Sequence, residues 1–267
     1  MGRPEDAEPP AVTLNVHEAA ATGFGRAAEA YERSRPDYPT EAIDRLIQEL
    51  EMNRDCSVLD LGAGTGKLTR MLARTGAPIT AVEPVEPMRR ALEATVSGAT
   101  VLAGTAEAIP AADGTFDAVV CAQAFHWFDG PRALVEIHRV LRTHGRFALV
   151  WNLRDESVEW VRQMTEIIDR HQGDTPNERT SQWRRAFSAT DLFGTLHQLR
   201  FQHRQALDEE GLVERVASIS YIAALPEAQR DRVLDEVREL ARTHPELADR
   251  DRFDLPYVTD LYWCVRL

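Results

Sequence analysis

The sequence predicts an α/β protein built on a doubly wound, seven-stranded, mostly parallel Rossmann-like sheet with a helical cap. Three observations carry this. Between Ser57 and Asn152, short apolar runs alternate with amphipathic helical patterns, which right-handed crossovers turn into a parallel sheet covered on both faces. A glycine-rich turn, "VLDLGAGTGKLTRML" (58–72), leads from the first strand into a helix. After Asn152 the pattern changes to longer helical stretches with two late strand-like alternations, which finish the sheet while the helices between them cover its edge.

Each element follows from a local pattern. The polar start "MGRPEDAEPP" has no apolar periodicity, so residues 1–16 are expected to be a disordered tail and 17–267 a single domain. Ile43, Leu46, Ile47 and Leu50 recur at helical spacing. "SVLDL", "ITAVE", "TVLAG", "FDAVVCA" and "GRFALVWN" then read as five strands, and "GKLTRMLAR", "EPMRRALEA" and "PRALVEIHRVL" as the helices among them. Farther on, "SVEWVRQMTEIIDRH", "EEGLVERVASISYIAAL" and "EAQRDRVLDEVRELARTH" read as helices, which places cap segments at about 155–195 and 207–250. "LHQLRFQHRQAL" and "YVTDLYWCVRL" supply the last two strands.

Composition narrows the function classes. The 267 residues are 43% hydrophobic and 28% charged, an ordinary globular balance with enough chain for a full core. The formal net charge is −12, Lys67 is the single lysine, and the arginines are spread rather than gathered. A nucleic-acid surface, which needs a dense positive patch, is therefore disfavoured. Cys56, Cys121 and Cys264 lie far apart and suit reduced thiols better than a disulfide framework. With no long apolar run and no signal-peptide pattern, the expectation is a cytoplasmic protein without a membrane partner. No His or Cys spacing suggests a metal site. Oligomeric state is not legible.

The glycine loop is best defined by what it fails to match. A Walker phosphate loop needs Gly where Leu61 stands and a hydroxyl where Leu68 stands. A dinucleotide fingerprint starting at Gly62 would need its third Gly at Lys67. What remains is an apolar strand ending in Asp60, then Gly62, Gly64 and Gly66 opening a helix, where bare backbone approaches a ligand closely. Glu83 ends the second strand about 20 residues later, placed to accept hydrogen bonds from ribose hydroxyls.

Strand, acid and G-x-G-x-G together resemble motif I of the class I S-adenosylmethionine (SAM) dependent methyltransferases, and the likeness extends over about Ala28 to Asn152. The resemblance implies SAM as cofactor and a small-molecule acceptor as partner. It assigns cofactor contacts to Asp60, Gly62, Ala63, Gly64 and Gly66 in the loop, and to Glu83, Pro84 and Met88 after the second strand. Ala106 and Glu107 fall at the adenine-contacting turn, and Gln123 at the end of the fourth strand. It also implies an N-terminal flap at about 24–40, with Tyr31 and Arg35 over the cofactor.

Within the family, "FGRAAEAYERSRPDYP", "AQAFHWFD" and "VWNLRDES" are similar to the small-molecule group related to trans-aconitate methyltransferase, which covers many unlike acceptors. Tyr38, Trp127, Trp151 and Asn152 are the candidate acceptor contacts; Trp127 and Phe128 together suit an acceptor pocket or a stack near the sulfonium, and plain core packing would explain the same two rings. His126 is the candidate general base for acceptors that must lose a proton, its ordinary pKa being suited to that task. Packing between Phe125 and Trp127 would explain the same histidine. Two rival functions share parts of the pattern. A nicotinamide-dependent oxidoreductase tolerates the missing third Gly poorly, and a SAM-binding regulatory protein that transfers nothing is not separable by binding motifs.

Overall fold

The computed structural model describes residues 32, 34–179 and 182–267; the expected tail at 1–16 and Tyr31 lie outside them. Helix α1 (Thr40–Glu49) leads into β1 (Val58–Leu61), α2 (Lys67–Leu72), β2 (Ile79–Val82), α3 (Glu86–Thr95) and β3 (Thr100–Leu102). Then come β4 (Phe116–Ala122), a 3₁₀ turn (Phe125–Trp127), α4 (Gly130–Val140) and β5 (Leu141–Arg154). The last part holds α5 (Glu159–Asp169), α6 (Gln182–Ser188), β6 (His197–Leu207), α7 (Glu209–Ala217), α8 (Ser220–Ala223), α9 (Glu227–Thr243) and β7 (Phe253–Val265).

The seven strands form one sheet in the order β3-β2-β1-β4-β5-β7-β6. Neighbours from β3 to β5 are parallel, and β7 runs antiparallel to both β5 and β6. Every residue of β1 is buried, as a central strand covered on both faces requires. Strand alternation divides the core. Leu59, Leu61, Val119, Cys121, Phe147, Leu149 and Trp151 face Ile137 of α4 and Trp183 of α6, whereas Val58, Val120, Ala148 and Val150 face α1 and α2 through Ile43, Leu46, Leu68 and Leu72. The edge strand β6 alternates between exposed and half-buried residues. Its register on β7 is pinned by Arg200, which sits opposite Asp260 and grips it with two hydrogen bonds of 2.8 and 3.0 Å.

The cap has its own apolar centre, where Trp160, Val161, Met164 and Ile168 of α5 meet Leu212, Val213 and Val216 of α7 and Val233 and Val237 of α9. Three details depart from the sequence reading. The single helix expected through "EEGLVERVASISYIAAL" breaks, because Ile219 is extended (φ −71, ψ 129) and Ser218 turns its hydroxyl back onto the Arg215 carbonyl at 2.7 Å. A helix forms at Gln182–Ser188 after a weakly patterned stretch, and packing of Trp183 and Ala186 into the core explains it. Strand β7 starts at Phe253 and passes through Pro256, whose carbonyl accepts the Asp155 N–H at 3.0 Å.

Candidate functional site

The chain leaves β1 toward β2 and β3 on one side, while β4 and β5 extend the sheet on the other. At that reversal a crevice of about 810 Å³ opens beyond the carboxyl ends of β1, β2 and β4, the place where open α/β sheets take ligands. Its floor is the glycine loop. The Gly62 and Ala63 N–H groups donate to the Val82 carbonyl at 2.8 and 3.2 Å, which ties the loop to the end of β2.

The loop glycines have positive φ for different reasons. A Cβ on Gly66 (φ +85) would lie 2.9 Å from Leu92 and from Val96, so this glycine lets α2 pack against α3. A Cβ on Gly62 (φ +71) would lie 2.7 Å from the Ala124 Cβ. At Gly64 (φ +58) it would meet no atom of the described residues within 4 Å, although Gly64 lines the crevice. Gly64 therefore offers bare main chain to whatever occupies the crevice.

Two acids face the same space. Glu83 accepts the Gly64 N–H at 3.0 Å on one oxygen and the Val85 N–H at 2.9 Å on the other. Burial drives its pKa from 4.5 to about 7, against the pull of those two N–H groups and of Arg89. Asp60 accepts the Thr69 hydroxyl at 2.6 Å through Oδ2, while its Oδ1 is buried with no partner among the described residues. Burial raises this carboxyl from 3.8 to about 6, Thr69 opposing. A buried, half-satisfied carboxylate on a ligand wall is an acceptor waiting for a cationic donor.

Of the residues assigned to the cofactor, Asp60, Gly62, Ala63, Gly64, Glu83, Pro84, Met88 and Gln123 line the crevice, as do Tyr38 and Trp127 from the acceptor set. Gln123 holds a left-handed backbone (φ +57), with its N–H on the Val150 carbonyl and its amide on the Asn152 carbonyl, both at 2.9 Å. Such strain in a non-glycine residue costs about 1–3 kcal/mol and gathers at functional sites.

The remaining assigned residues lie elsewhere. Gly66 serves helix packing, Ala106 is buried in the core, and Glu107 spends its carboxylate on the Asp129 N–H at 2.8 Å. Trp151 is core. Asn152 sits behind the crevice, accepting the Thr259 hydroxyl at 2.6 Å and donating to the Asp37 carbonyl at 3.2 Å. His126 borders a separate surface groove with Phe125, Phe128 and Trp183. Its ring lies 4.9 Å from Trp127 and 5.4 Å from Trp151. Its Nδ1 is buried without a partner, and burial, opposed by the Glu178 charge and aided by Arg35, lowers its pKa to about 4.

Thr65, Lys67, Val85 and Phe128 also line the crevice. Lys67, where the dinucleotide pattern would need glycine, is thus part of the crevice wall. It pairs with Asp37 at 3.2 Å and with Glu32 at 3.6 Å, and Thr65 and Arg70 also hydrogen-bond Glu32. Gln205 of β6 donates to the Ser34 carbonyl at 2.8 Å, and Arg35 donates to the Ser218 carbonyl at 3.3 Å. The segment before α1 thus strings the glycine loop to β6 and to the end of α7. Among the described residues, no group of three or more His, Cys, Asp or Glu is arranged to hold a metal, and no helix is long and apolar enough to cross a membrane.

Comparison with known proteins agrees with this geometry. A family model described as "Methyltransferase domain" matches residues 59–149, which hold the glycine loop, Glu83 and Gln123. An uncharacterized methyltransferase of Mycobacterium tuberculosis strain H37Rv is 44% identical over 243 residues, covering 91% of this chain and 94% of the relative. An uncharacterized methyltransferase-like protein of Schizosaccharomyces pombe is 36% identical over 230 residues, covering 86% and 90%. The crystal structure of the YcgJ protein from Bacillus subtilis shares the fold, with a TM-score of 0.58 at 20% identity over 85% of this chain and 98% of that one. A doubly wound sheet with a glycine crevice at its switch point, and near full-length relatives that are methyltransferases, make this chain a member of the class I SAM-dependent methyltransferases.

Proposed function

We propose that this protein binds SAM in the switch-point crevice and transfers its methyl group to a small organic acceptor, at oxygen, nitrogen, carbon or a carboxylate. One observation carries the reading: Gly64, whose missing Cβ would stand in open crevice, donates its N–H to the Glu83 carboxylate, and Asp60, whose Oδ1 has no partner among the described residues, lines the same crevice. These features fit the cofactor. Glu83 suits ribose hydroxyls, the bare backbone from Gly62 to Gly64 suits the amino-acid end, and Asp60 Oδ1 suits its ammonium. Pro84, Val85 and Met88 offer an apolar wall for the base.

When bound, SAM supplies a methyl carbon already activated by its sulfonium. The chain's own work is then alignment and exclusion of water. The Glu32 and Asp37 pairings hold the segment before α1 against the glycine loop, and Tyr38, Trp127 and Phe128, which line the crevice, would crowd the acceptor. His126, held neutral by burial, would take a proton from an acceptor that reaches the groove it shares with Phe128 and Trp183. The resemblance to the trans-aconitate methyltransferase-related group supports a small acceptor without naming one. Free, buried Cys56, Cys121 and Cys264 support a reducing, cytoplasmic setting.

Isothermal titration with S-adenosylhomocysteine and with NAD tests the cofactor reading, which fails if the former does not bind. Release of labelled methyl from SAM in the presence of a metabolite extract tests transfer.

A further inference from the structure

Beside the crevice lies a second, much smaller void. The two share Tyr38, Lys67 and Gln123 as a common wall. Its far side is made by Arg35, Asn152, Arg215 and Tyr257, and among the described residues no Asp or Glu lines it. Arg215, on α7, is 4% exposed. Its Nε donates to the Tyr257 hydroxyl at 2.9 Å, and that hydroxyl is passed on to Gln205 Oε1 at 3.2 Å. Its Nη1 is buried with no partner among the described residues.

The surrounding polar groups are committed elsewhere. Asn152 uses its amide on Thr259 and Asp37, and Gln123 uses its own on the Asn152 carbonyl. The positive charge of Lys67 is met by Glu32 and Asp37. Arg154, at the end of β5, adds a second guanidinium whose Nε donates to Thr165 at 3.1 Å. Burial, and then the charge of Arg215, hold Arg154 below the usual arginine range; Tyr221, Tyr257 and Glu178 oppose this. Two guanidiniums that repel one another, one with an orphaned N–H, are costly to fold around unless something completes them. Glu178 offsets part of the charge on Arg154, and neither of these two residues lines the void, whereas Arg215 does, with its Nη1 unpaired among the described residues.

Resting on the methyltransferase reading above, we propose that the acceptor is an organic carboxylate whose carboxylate group docks on Arg215 in this void, beside the cofactor crevice. A planar carboxylate matches the guanidinium fork and fills the empty Nη1 position. The shared wall of Tyr38, Lys67 and Gln123 then sets the rest of the acceptor toward the crevice.

The test uses the full chain, methyl-tritiated SAM and a small-molecule extract separated on an anion-exchange resin at pH 8. Labelled product is expected from fractions that bind the resin and elute with salt, with label unaffected when those fractions are first treated with phosphatase. Arg215→Met is expected to raise KM for the active fraction at least tenfold while S-adenosylhomocysteine affinity stays within twofold, which also reports that the variant is folded. Label only in the flow-through, loss of label after phosphatase, or an unchanged KM in folded Arg215→Met would overturn the carboxylate. Absence of label from every fraction would instead overturn the underlying transferase reading.

Discussion

Glu83 accepts the Gly64 N–H through Oε2 at 3.0 Å, so the acid that ends β2 and the barest point of the glycine loop are one hydrogen-bonded unit. That bond joins the ends of the neighbouring strands β1 and β2, beside the switch point. It holds the carboxylate against the crevice wall and also keeps one main-chain donor occupied. A ligand that takes both of these groups must outcompete or share this bond, which makes the pair the natural place to probe.

Replacing Gly64 and replacing Gly66 should give opposite phenotypes. Gly64→Ala places a methyl in the crevice at φ +58, at a backbone cost of about 1–2 kcal/mol. It should still fold, with S-adenosylhomocysteine affinity lowered at least tenfold in titration. Gly66→Ala drives a methyl to within 2.9 Å of Leu92 and Val96 at φ +85, so strain and overpacking together should cost about 2–5 kcal/mol. Denaturant melts would show a large loss for Gly66→Ala and a small one for Gly64→Ala. Equal losses would contradict the division of roles.

Ionisation of Glu83 should be linked both to stability and to ligand. Its pKa is raised on folding from 4.5 to about 7, so its favourable contribution is present below the unfolded value and is lost as pH rises through about 7. Relative to wild type, Glu83→Gln should therefore gain stability between pH 5 and pH 8, by up to about 2–3 kcal/mol. Ribose hydroxyls that donate to the carboxylate favour its charged form. Binding of S-adenosylhomocysteine at pH 6 should then release protons, measurable as a dependence of the titration heat on the buffer's ionisation enthalpy. No release in wild type, or equal release in Glu83→Gln, would remove Glu83 from the binding reaction.

His126 has a role that the acceptor decides. Its pKa is lowered to about 4 by burial, so the ring is neutral from about pH 5 upward. His126→Ala should leave S-adenosylhomocysteine affinity nearly unchanged and lower turnover by about 10²-fold or more for an acceptor that must lose a proton. Turnover that depends on this ring should be flat from pH 6 to 8. An unchanged rate with such an acceptor would reduce His126 to a ring packed against Trp127 and Trp151.

Lys67 should act as a latch rather than a phosphate ligand. Its pairs with Asp37 and Glu32 are partly solvated and worth about 0–1 kcal/mol each. Lys67→Met should therefore leave the melting temperature nearly unchanged, yet speed proteolytic cleavage around residues 32–39 a few-fold. Cleavage at the wild-type rate would argue that the latch is held by other contacts.

Much of the architecture was already present in the sequence. Hydrophobic period and glycine placement are local properties, so β1 to β5, the glycine loop, Asp60 and Glu83 were readable without coordinates, and they account for the crevice floor. The cap was legible as helices, but not in detail: Ile219 interrupts a helix whose pattern runs on, and Gln182–Ser188 becomes helical because Trp183 finds a core to fill. What only the tertiary structure decided are relations among residues far apart in the chain. It gave Gly66 to packing and Gly64 to the crevice, spent Glu107 on Asp129, set His126 on a different groove from Gly64, and brought Arg215 from the cap to within hydrogen-bond reach of Tyr257 on β7. The reason is that periodicity records which face of an element is buried, whereas the neighbours of a buried polar atom are chosen by how distant elements dock.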